Sequence, residues 1–419
     1  MSELVIKPNG KLTGKINISG SKNASLPIMA ACLLTHGKNR LSNIPDLSDI
    51  NTMCCLLEGT GAVISKEKNS VSIDCTNIKN HCSEYNLVNK LRGSFLISGP
   101  LLARLGKVKI PLPGGCPIGT RPIDLHLKGF SLLGADISQG YGYVELSAKK
   151  LKGCKIYLDF PSVGATENII MTAVLAEGMT IIENAATEPE ISDLANFLNK
   201  QGANIIGAGG DTIVIRGVDK LTPVAHTVIP DRIEAGTFLL AFAITGGTGT
   251  ISNVNCKHIK PVAAKLMEMG ITLKCLDDSI FIDASKKLHT ADIKTLPFPG
   301  FPTDMQAPFS ALMSITQGTG IVTETVFENR FLHMNELNRM GAKIKIEGRT
   351  SVIEGVKSLT GANVNAMDLR GGAALVLAGM VAKGETRLLG LEHIKRGYEN
   401  FDGKLRQLGA CVEEIKYGF

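Results

Sequence analysis

The residues best suited to chemistry lie in the stretch Pro111 to Arg121, which reads Pro-Leu-Pro-Gly-Gly-Cys-Pro-Ile-Gly-Thr-Arg. Proline lacks a backbone donor and glycine is entropically costly in regular structure, so this run dictates a shaped loop. The loop presents one thiol, Cys116, and one cation, Arg121. An amphipathic run follows, from Pro122, Ile123, Asp124, Leu125 and His126 through Leu132, and Pro122 suits a first helical position. A thiol beside a cation and close to a helix N-terminus sits where a thiolate is favoured and where anions bind. Taken alone, such a stretch is more often a surface loop with an inert cysteine.

Other charged residues recur where helices should begin. Ser19-Gly-Ser-Lys-Asn-Ala24 precedes an apolar helix over Leu26 to Leu34, placing Lys22 and Asn23 at an anion-ready N-terminus. Leu91-Arg92-Gly93-Ser94 puts Arg92 before another apolar segment. Phe301-Pro-Thr-Asp-Met-Gln306 places Asp304 at a helix start, as an N-cap or first-turn residue or as a general base. Asp368-Leu-Arg370 and Lys395-Arg396-Gly397-Tyr398 read as polar pairs at further helix starts. Each alone reads as a solvated charge; if the helix starts converge, together they make an anion site.

Bulk properties narrow the class. Hydrophobic residues make up 44% and charged residues 20% of 419, as expected of a globular protein of two or three domains. Trp is absent, so the cores must be aliphatic. The net charge of +6 comes without a Lys/Arg block, which argues against nucleic acid and for a small anionic ligand. Met1-Ser-Glu-Leu4 does not open a signal peptide, and the longest apolar stretch, Gly371 to Ala382, is too short to span a bilayer. The ten cysteines include no C-x-x-C pair, so neither a metal site nor a disulfide framework is expected, and a reduced, cytoplasmic protein is.

The elements that must position these residues follow a hidden repeat. Helix-like segments end in Leu-x-x-x-Gly-Ala or close to it at Leu57–Ala62, Phe130–Ala135, Leu198–Ala203, Leu266–Ile271, Leu337–Ala342 and Leu405–Ala410. The six glycines are spaced by 73, 68, 68, 71 and 68 residues, each at an expected left-handed helix cap. A second pattern, glycine leading through a short apolar strand to asparagine, recurs at Gly37–Asn43, Gly178–Asn184 and Gly247–Asn253, with looser copies at Gly318–Glu324 and Gly384–Leu389. Each unit reads as strand–helix–strand–helix–strands in a mixed sheet. Units of about 70 residues exceed the usual solenoid period of about 20–50, so three plus three in two lobes is the expected α/β grouping. The boundaries fall at 21–229 and 230–419, with strands in residues 1–20 returning to complete the second lobe.

Ser19–Ala24, Leu91–Ser94, Pro113–His126, Ser162-Val-Gly-Ala-Thr166, Pro230–Glu234, Phe301–Ala307, Thr323–Arg330, Asp368–Arg370 and Arg396–Tyr398 together resemble the enolpyruvyl transferases that act on UDP-N-acetylglucosamine. The resemblance covers essentially the whole chain. It implies two similar lobes, each an inside-out α/β barrel of three units, with the active site between them. It implies transfer of enolpyruvate from phosphoenolpyruvate to the 3′-hydroxyl of the sugar nucleotide, with phosphate released, as the first committed step of peptidoglycan precursor synthesis. It implies no metal and no organic cofactor. Lys22, Asn23, Arg121, Arg370 and Arg396 would hold phosphoenolpyruvate. Asn23, Arg92, Arg121, Pro122, Ile123, Asp124, Leu125, Ser162, Val163, Asp304 and Val326 would contact the nucleotide. Cys116 would donate the proton to C3, Asp304 would take the hydroxyl proton, and Asp368 would line the polar floor with Arg370. A thiol so placed would be trapped by epoxides such as fosfomycin. One departure stands out: Phe160, followed by Pro161, replaces a lysine of some members, leaving Ser162 and Val163 to serve through backbone groups. Two rivals share part of this pattern: the sister transferase acting on shikimate 3-phosphate, which lacks the cysteine loop, and a non-catalytic nucleotide-sugar binder.

Overall fold

The six glycines of the repeat all take left-handed conformations, with φ between 91° and 106°. At every one, the glycine amide bonds the carbonyl three residues back, and the next amide bonds the Leu or Phe carbonyl five residues back. Gly61 and Ala62, for example, donate to Glu58 and Leu57. This is the double bond of a Schellman cap, so the sequence signature is the stop signal of six helices.

The structure, a computed structural model, describes residues 2–82, 88, 91–112 and 123–417. Among these, the strands form six sheets, five of four strands and one of three. The unit is clearest over 155–216. Strand Lys155–Tyr157 leads to helix Val163–Ala173, strand Met179–Glu183 and helix Pro189–Lys200, and the pair Asn204–Ile206 and Thr212–Arg216 closes it. The first strand pairs parallel with the second, and the last two pair antiparallel. Parallel pairing needs a crossover, which the first helix supplies.

Asparagines pin this crossover. Asn43, Asn184 and Asn253 adopt φ of 57°, 55° and 56° just after a central strand. Their side-chain amides donate to Val228 O at 2.8 Å, Leu158 O at 2.7 Å and Ile18 O at 2.7 Å, just past the parallel strand of the same sheet. Asparagine tolerates this conformation better than other side chains, which explains its recurrence.

The chain divides into two compact units. Residues 2–19 and 230–417 form one; the described residues of 20–229 form the other. In the first, strand Thr13–Asn17 pairs with Thr248–Ser252, and Ser2–Lys7 lies between Thr386–Leu389 and Cys411–Lys416. In the second, Ala225–Thr227 pairs with Lys38–Ser42.

Each unit keeps helices inside and sheets outside. Lys22–Ala31, Ser98–Leu105 and Val163–Ala173 are the interior helices of the 20–229 unit, and Arg232–Thr245, Gln306–Met313 and Leu369–Gly379 those of the other. They are buried on nearly every face, which explains their all-round apolar character. Small residues permit the close packing: a Cβ on Gly99 would come within 2.7 Å of Asn168 O. Among the described residues, no helix is long and apolar enough to cross a membrane, and no group of side chains could hold a metal ion.

Candidate active site

In the 20–229 unit the interior helices carry the expected site residues at their N-terminal ends. Ser21 caps the first, its Oγ accepting from Ala24 N at 3.3 Å. Lys22 and Asn23 occupy the first turn. The Lys22 ammonium lies 3.3 Å from Asp49 Oδ2, both side chains largely buried. Arg92 opens a short 3₁₀ segment, Arg92–Ile97, that runs into helix Ser98–Leu105. Ser162 caps the third helix by accepting from Ala165 N at 3.4 Å, and Val163 follows it. Ser162 N is turned away onto Phe160 O at 2.7 Å, so this amide is not free for a nucleotide. Phe160 itself is 44% exposed.

Cys116, Arg121 and Pro122, together with the Arg92 side chain, lie outside the described residues. After them the helix begins at Asp124, with Ile123 as its cap residue and Leu125 half-buried in its first turn. His126 is held from three sides. Its Nδ1 meets the Asn168 amide at 2.9 Å, its ring stands edge-on to Phe95 at 5.1 Å, and Gly164 leaves room for its other edge. Burial pushes its pKa down to about 4, so the ring is neutral.

The other unit builds its site from carboxylates and arginines. Asp304 lies in the short 3₁₀ turn Thr303–Met305 that precedes helix Gln306–Met313. The carboxylate does not cap that helix: Oδ1 accepts from Arg330 Nη2 at 2.6 Å, and Oδ2 from Arg370 Nη2 at 3.0 Å and Nε at 3.2 Å. Arg370 is 2% exposed and Arg330 5%, so this is a buried, multiply bonded ion cluster. The clamp is itself braced. Arg330 Nη1 donates to Thr303 Oγ1 at 2.8 Å, and that hydroxyl donates to Glu324 Oε2 at 2.8 Å. Glu324 Oε1 accepts from Thr295 Oγ1 and from Val326 N, at 2.8 and 2.9 Å. The Arg370 guanidinium also lies over the Tyr398 ring, 5.0 Å from its centre. Asp368 is a true N-cap, accepting from Arg370 N and Gly371 N at 3.0 Å each.

Arg396 departs from expectation. It does not open a helix but follows the short helix Leu391–Ile394, and the next helix starts only at Phe401. Asn400, with φ of 47°, breaks the chain between them. Two partners carry no signal in the sequence. Arg330 stands at the end of the Thr323–Arg330 motif but carries no local sign of a role, and Asp49 is distant in sequence from Lys22. Both pairings are tertiary, which spacing alone does not reveal.

Chemically, one set of helix starts offers a largely buried lysine in the first turn of a serine-capped helix, suited to an anion. The other offers a carboxylate oriented by two guanidiniums, suited to accept a hydroxyl hydrogen bond.

Comparison with known proteins agrees with this chemistry. The family model of EPSP synthase (3-phosphoshikimate 1-carboxyvinyltransferase) matches residues 6–405. UDP-N-acetylglucosamine 1-carboxyvinyltransferase 2 of Carboxydothermus hydrogenoformans is 56% identical over 417 residues, covering 99% of this chain and 100% of the relative. UDP-N-acetylglucosamine 1-carboxyvinyltransferase 1 of Caldanaerobacter subterraneus subsp. tengcongensis is 56% identical over 411 residues, 98% of this chain and 99% of the relative. In fold, the chain matches the enolpyruvyl transferase NikO from Streptomyces tendae with a TM-score of 0.90 at 23% identity, over 100% of this chain and 99% of that one. With a family match over most of its length and full-length relatives at this identity, the chain belongs to the enolpyruvyl transferase family, among the UDP-N-acetylglucosamine 1-carboxyvinyltransferases.

Proposed function

We propose that the protein transfers the enolpyruvyl group of phosphoenolpyruvate to the 3′-hydroxyl of UDP-N-acetylglucosamine and releases phosphate, opening peptidoglycan precursor synthesis. The observation that carries this reading is 56% identity over 99% of the chain to a relative that bears this activity in its name. The family model also bears the name of the shikimate branch, but identity this high over the full length favours the sugar nucleotide as acceptor.

The residues assign themselves to steps as follows. Lys22, Asn23, Arg121, Arg370 and Arg396 offset the charge of phosphoenolpyruvate, since two polyanions must be brought together. Asn23, Arg92, Arg121, Pro122, Ile123, Asp124, Leu125, Ser162, Val163, Asp304 and Val326 hold the nucleotide. The acceptor oxygen bonds to C2 of the enol while Cys116 gives its proton to C3, and Asp304 accepts the hydroxyl proton. Loss of phosphate and of a C3 proton then restores the double bond, so the sequence is addition followed by elimination. The arginine pair on Asp304 supports this role, because it fixes the direction of the carboxylate lone pairs.

Phosphate release from phosphoenolpyruvate is measured with UDP-N-acetylglucosamine and, separately, with shikimate 3-phosphate. Release with the sugar nucleotide alone is expected. Release only with shikimate 3-phosphate moves the chain to the sister branch, and release with neither, despite nucleotide binding, makes it a binder. Cys116→Ser should lose most turnover while keeping nucleotide affinity; unimpaired turnover removes the thiol from the acid role.

A further inference from the structure

Within the 20–229 unit, a buried carboxylate–imidazole pair takes no part in the steps assigned above. Helix Pro189–Lys200 carries Asp193 and Lys200, seven residues apart and so on one face, and strand Ala225–Thr227 carries His226. Asp193 is 4% exposed and His226 5%. His226 Nε2 meets Asp193 Oδ1 at 2.9 Å, and Lys200 Nζ meets His226 Nδ1 at 3.2 Å. An ammonium can only donate, so Nδ1 is the acceptor and the Nε2–H donates to the carboxylate. The Phe197 ring packs edge-on against the imidazole at 5.4 Å. Each polar atom of the imidazole is thereby satisfied, which argues against a ligand site and for a structural task.

The task shows in the second carboxylate oxygen. Asp193 Oδ2 accepts from Ile229 N at 3.1 Å. The carbonyl of the same residue accepts from Ser21 N at 2.8 Å. Ser21 is the cap of the helix whose first residue is Lys22. A continuous line of bonds therefore runs from Lys200 through His226, Asp193 and Ile229 to Ser21, ending at the lysine assigned to phosphoenolpyruvate. A buried carboxylate bonded to a neutral imidazole is a costly way to stabilise a fold, because its charge gives up its hydration. It is a good way to fix direction, since a carboxylate with both oxygens committed cannot rotate.

We infer that Asp193 and His226 are positioning residues for the reaction: they set the start of the Lys22 helix through Ile229 and Ser21, and so tune affinity for phosphoenolpyruvate. This rests on the role given to Lys22 under the proposed function.

Asp193→Asn is the first test, because its NH2 replaces one of the two accepting oxygens and so faces either His226 Nε2–H or Ile229 N–H with another donor. The KM for phosphoenolpyruvate should rise about tenfold, with kcat and nucleotide affinity held within about twofold, as losses of supporting bonds around a site do. In a Lys22→Arg background the same substitution should add almost nothing. His226→Gln, which keeps a donor for Asp193, should stay near wild type, whereas His226→Leu should copy Asp193→Asn. A cavity of about 570 Å³ lined by Asp193, Asn196, Asn199, Lys200, His226 and Thr227 adjoins the ring, so added imidazole should restore a His226→Ala variant. An unchanged KM for phosphoenolpyruvate, an equal rise for both substrates, or full additivity with Lys22→Arg overturns the inference. Amide exchange gives a reading that needs no activity: Ser21 N–H should lose protection in Asp193→Asn while strand Thr212–Arg216 keeps it, and retained Ser21 protection also overturns the inference. If the wild-type protein releases no phosphate, the proposed function fails, and the exchange measurement still decides the positioning.

Discussion

The two units share one architecture and differ in how they cap their interior helices. In the 20–229 unit the caps are hydroxyls, Ser21 and Ser162, each accepting one helix amide. In the other unit they are carboxylates. Asp231 accepts from Ile233 N and Glu234 N at 2.8 and 3.0 Å, and Asp368 accepts two amides as well. Asp304 adds a third carboxylate in the first turn of its segment. Serine satisfies the cap and leaves the positive end of the helix dipole unneutralised, whereas aspartate satisfies it and cancels the field. The same repeat thus yields one set of helix ends with the dipole left open and another that carries carboxylates and their arginine partners. The scaffold is in the caps at the helix C-termini, and the chemistry is in the caps at the N-termini.

The largest effect that could break this contrast lies at Asp304. Asp304→Asn keeps the shape but removes the proposed base, so kcat should fall by about 10²–10⁴-fold, the usual range for a positioned proton acceptor. Steady-state phosphate release with both substrates saturating measures it. A fall of less than about threefold would leave Asp304 as an orienting group only, with its carboxylate serving Arg330 and Arg370 rather than the substrate.

Next comes Arg370, whose counterpart among the described residues at the serine-capped ends is Lys22, paired with Asp49. Arg370→Met should cost about 1–3 kcal/mol of stability, because it leaves the half-buried Asp304 carboxylate with Arg330 alone. Lys22→Met removes a partner from Asp49 in the other unit in the same way, and both can be followed by chemical denaturation. If the two cost the same, the acid-rich end is no more dependent on its ion cluster than the serine-capped end.

The units also differ in how they hold one low-titrating histidine each. His126 is pushed down to about 4 by burial, and so is His333, where burial and Arg330 outweigh the opposing pull of Asp368. A histidine depressed in the folded state protonates first in the unfolded chain. Its contribution is therefore complete above the unfolded value of about 6.5 and is lost as pH falls toward 4. Glu234 runs the other way. Burial raises it to about 7 against the pull of Lys404, so its contribution is present below about 4.5 and lost as pH rises through 7. Melting temperature between pH 4 and 8 should show both limbs, with Glu234→Gln flattening the rise-to-neutral loss. The histidine variants should separate at pH 8. Among the described residues neither ring nitrogen of His333 has a hydrogen-bond partner, so His333→Leu should be nearly neutral there. His126→Leu leaves the Asn168 amide, which also donates to Phe95 O, one acceptor short, and should cost about 1–2 kcal/mol.

Most of the scaffold was legible in the sequence because its signals are local. Leu-x-x-x-Gly-Ala marks a cap whose two bonds span five residues, and Gly to Asn marks a strand and the turn that ends it. The expected helix starts at Lys22, Asp304 and Asp368 also rest on local turn chemistry. What could not be read was long-range. Arg330 and Arg370 reach Asp304 from 26 and 66 residues away, and Asp193 reaches Ile229 across 36. Arg396 was misplaced for a related reason: its polar, glycine-containing surroundings look like the other helix starts, and only the left-handed Asn400 shows that the helix begins later.

The smallest and sharpest test exchanges one kind of cap for the other. Asp368 holds two amides with a charged oxygen, whereas Ser21 holds one at 3.3 Å with a neutral one. Asp368→Ala should therefore cost about 1–2 kcal/mol and Ser21→Ala about 0.5–1 kcal/mol. Asp368→Ser keeps a cap and loses only the charge, so it should fall between no change and the alanine cost. It also removes the carboxylate that favours protonation of His333, which should push that ring's titration further into acid. If Asp368→Ser is instead as damaging as Asp368→Ala, the charge rather than the hydrogen bonds holds that helix start. The acidic cap would then act first as a charge set against the helix dipole and second as a hydrogen-bond acceptor.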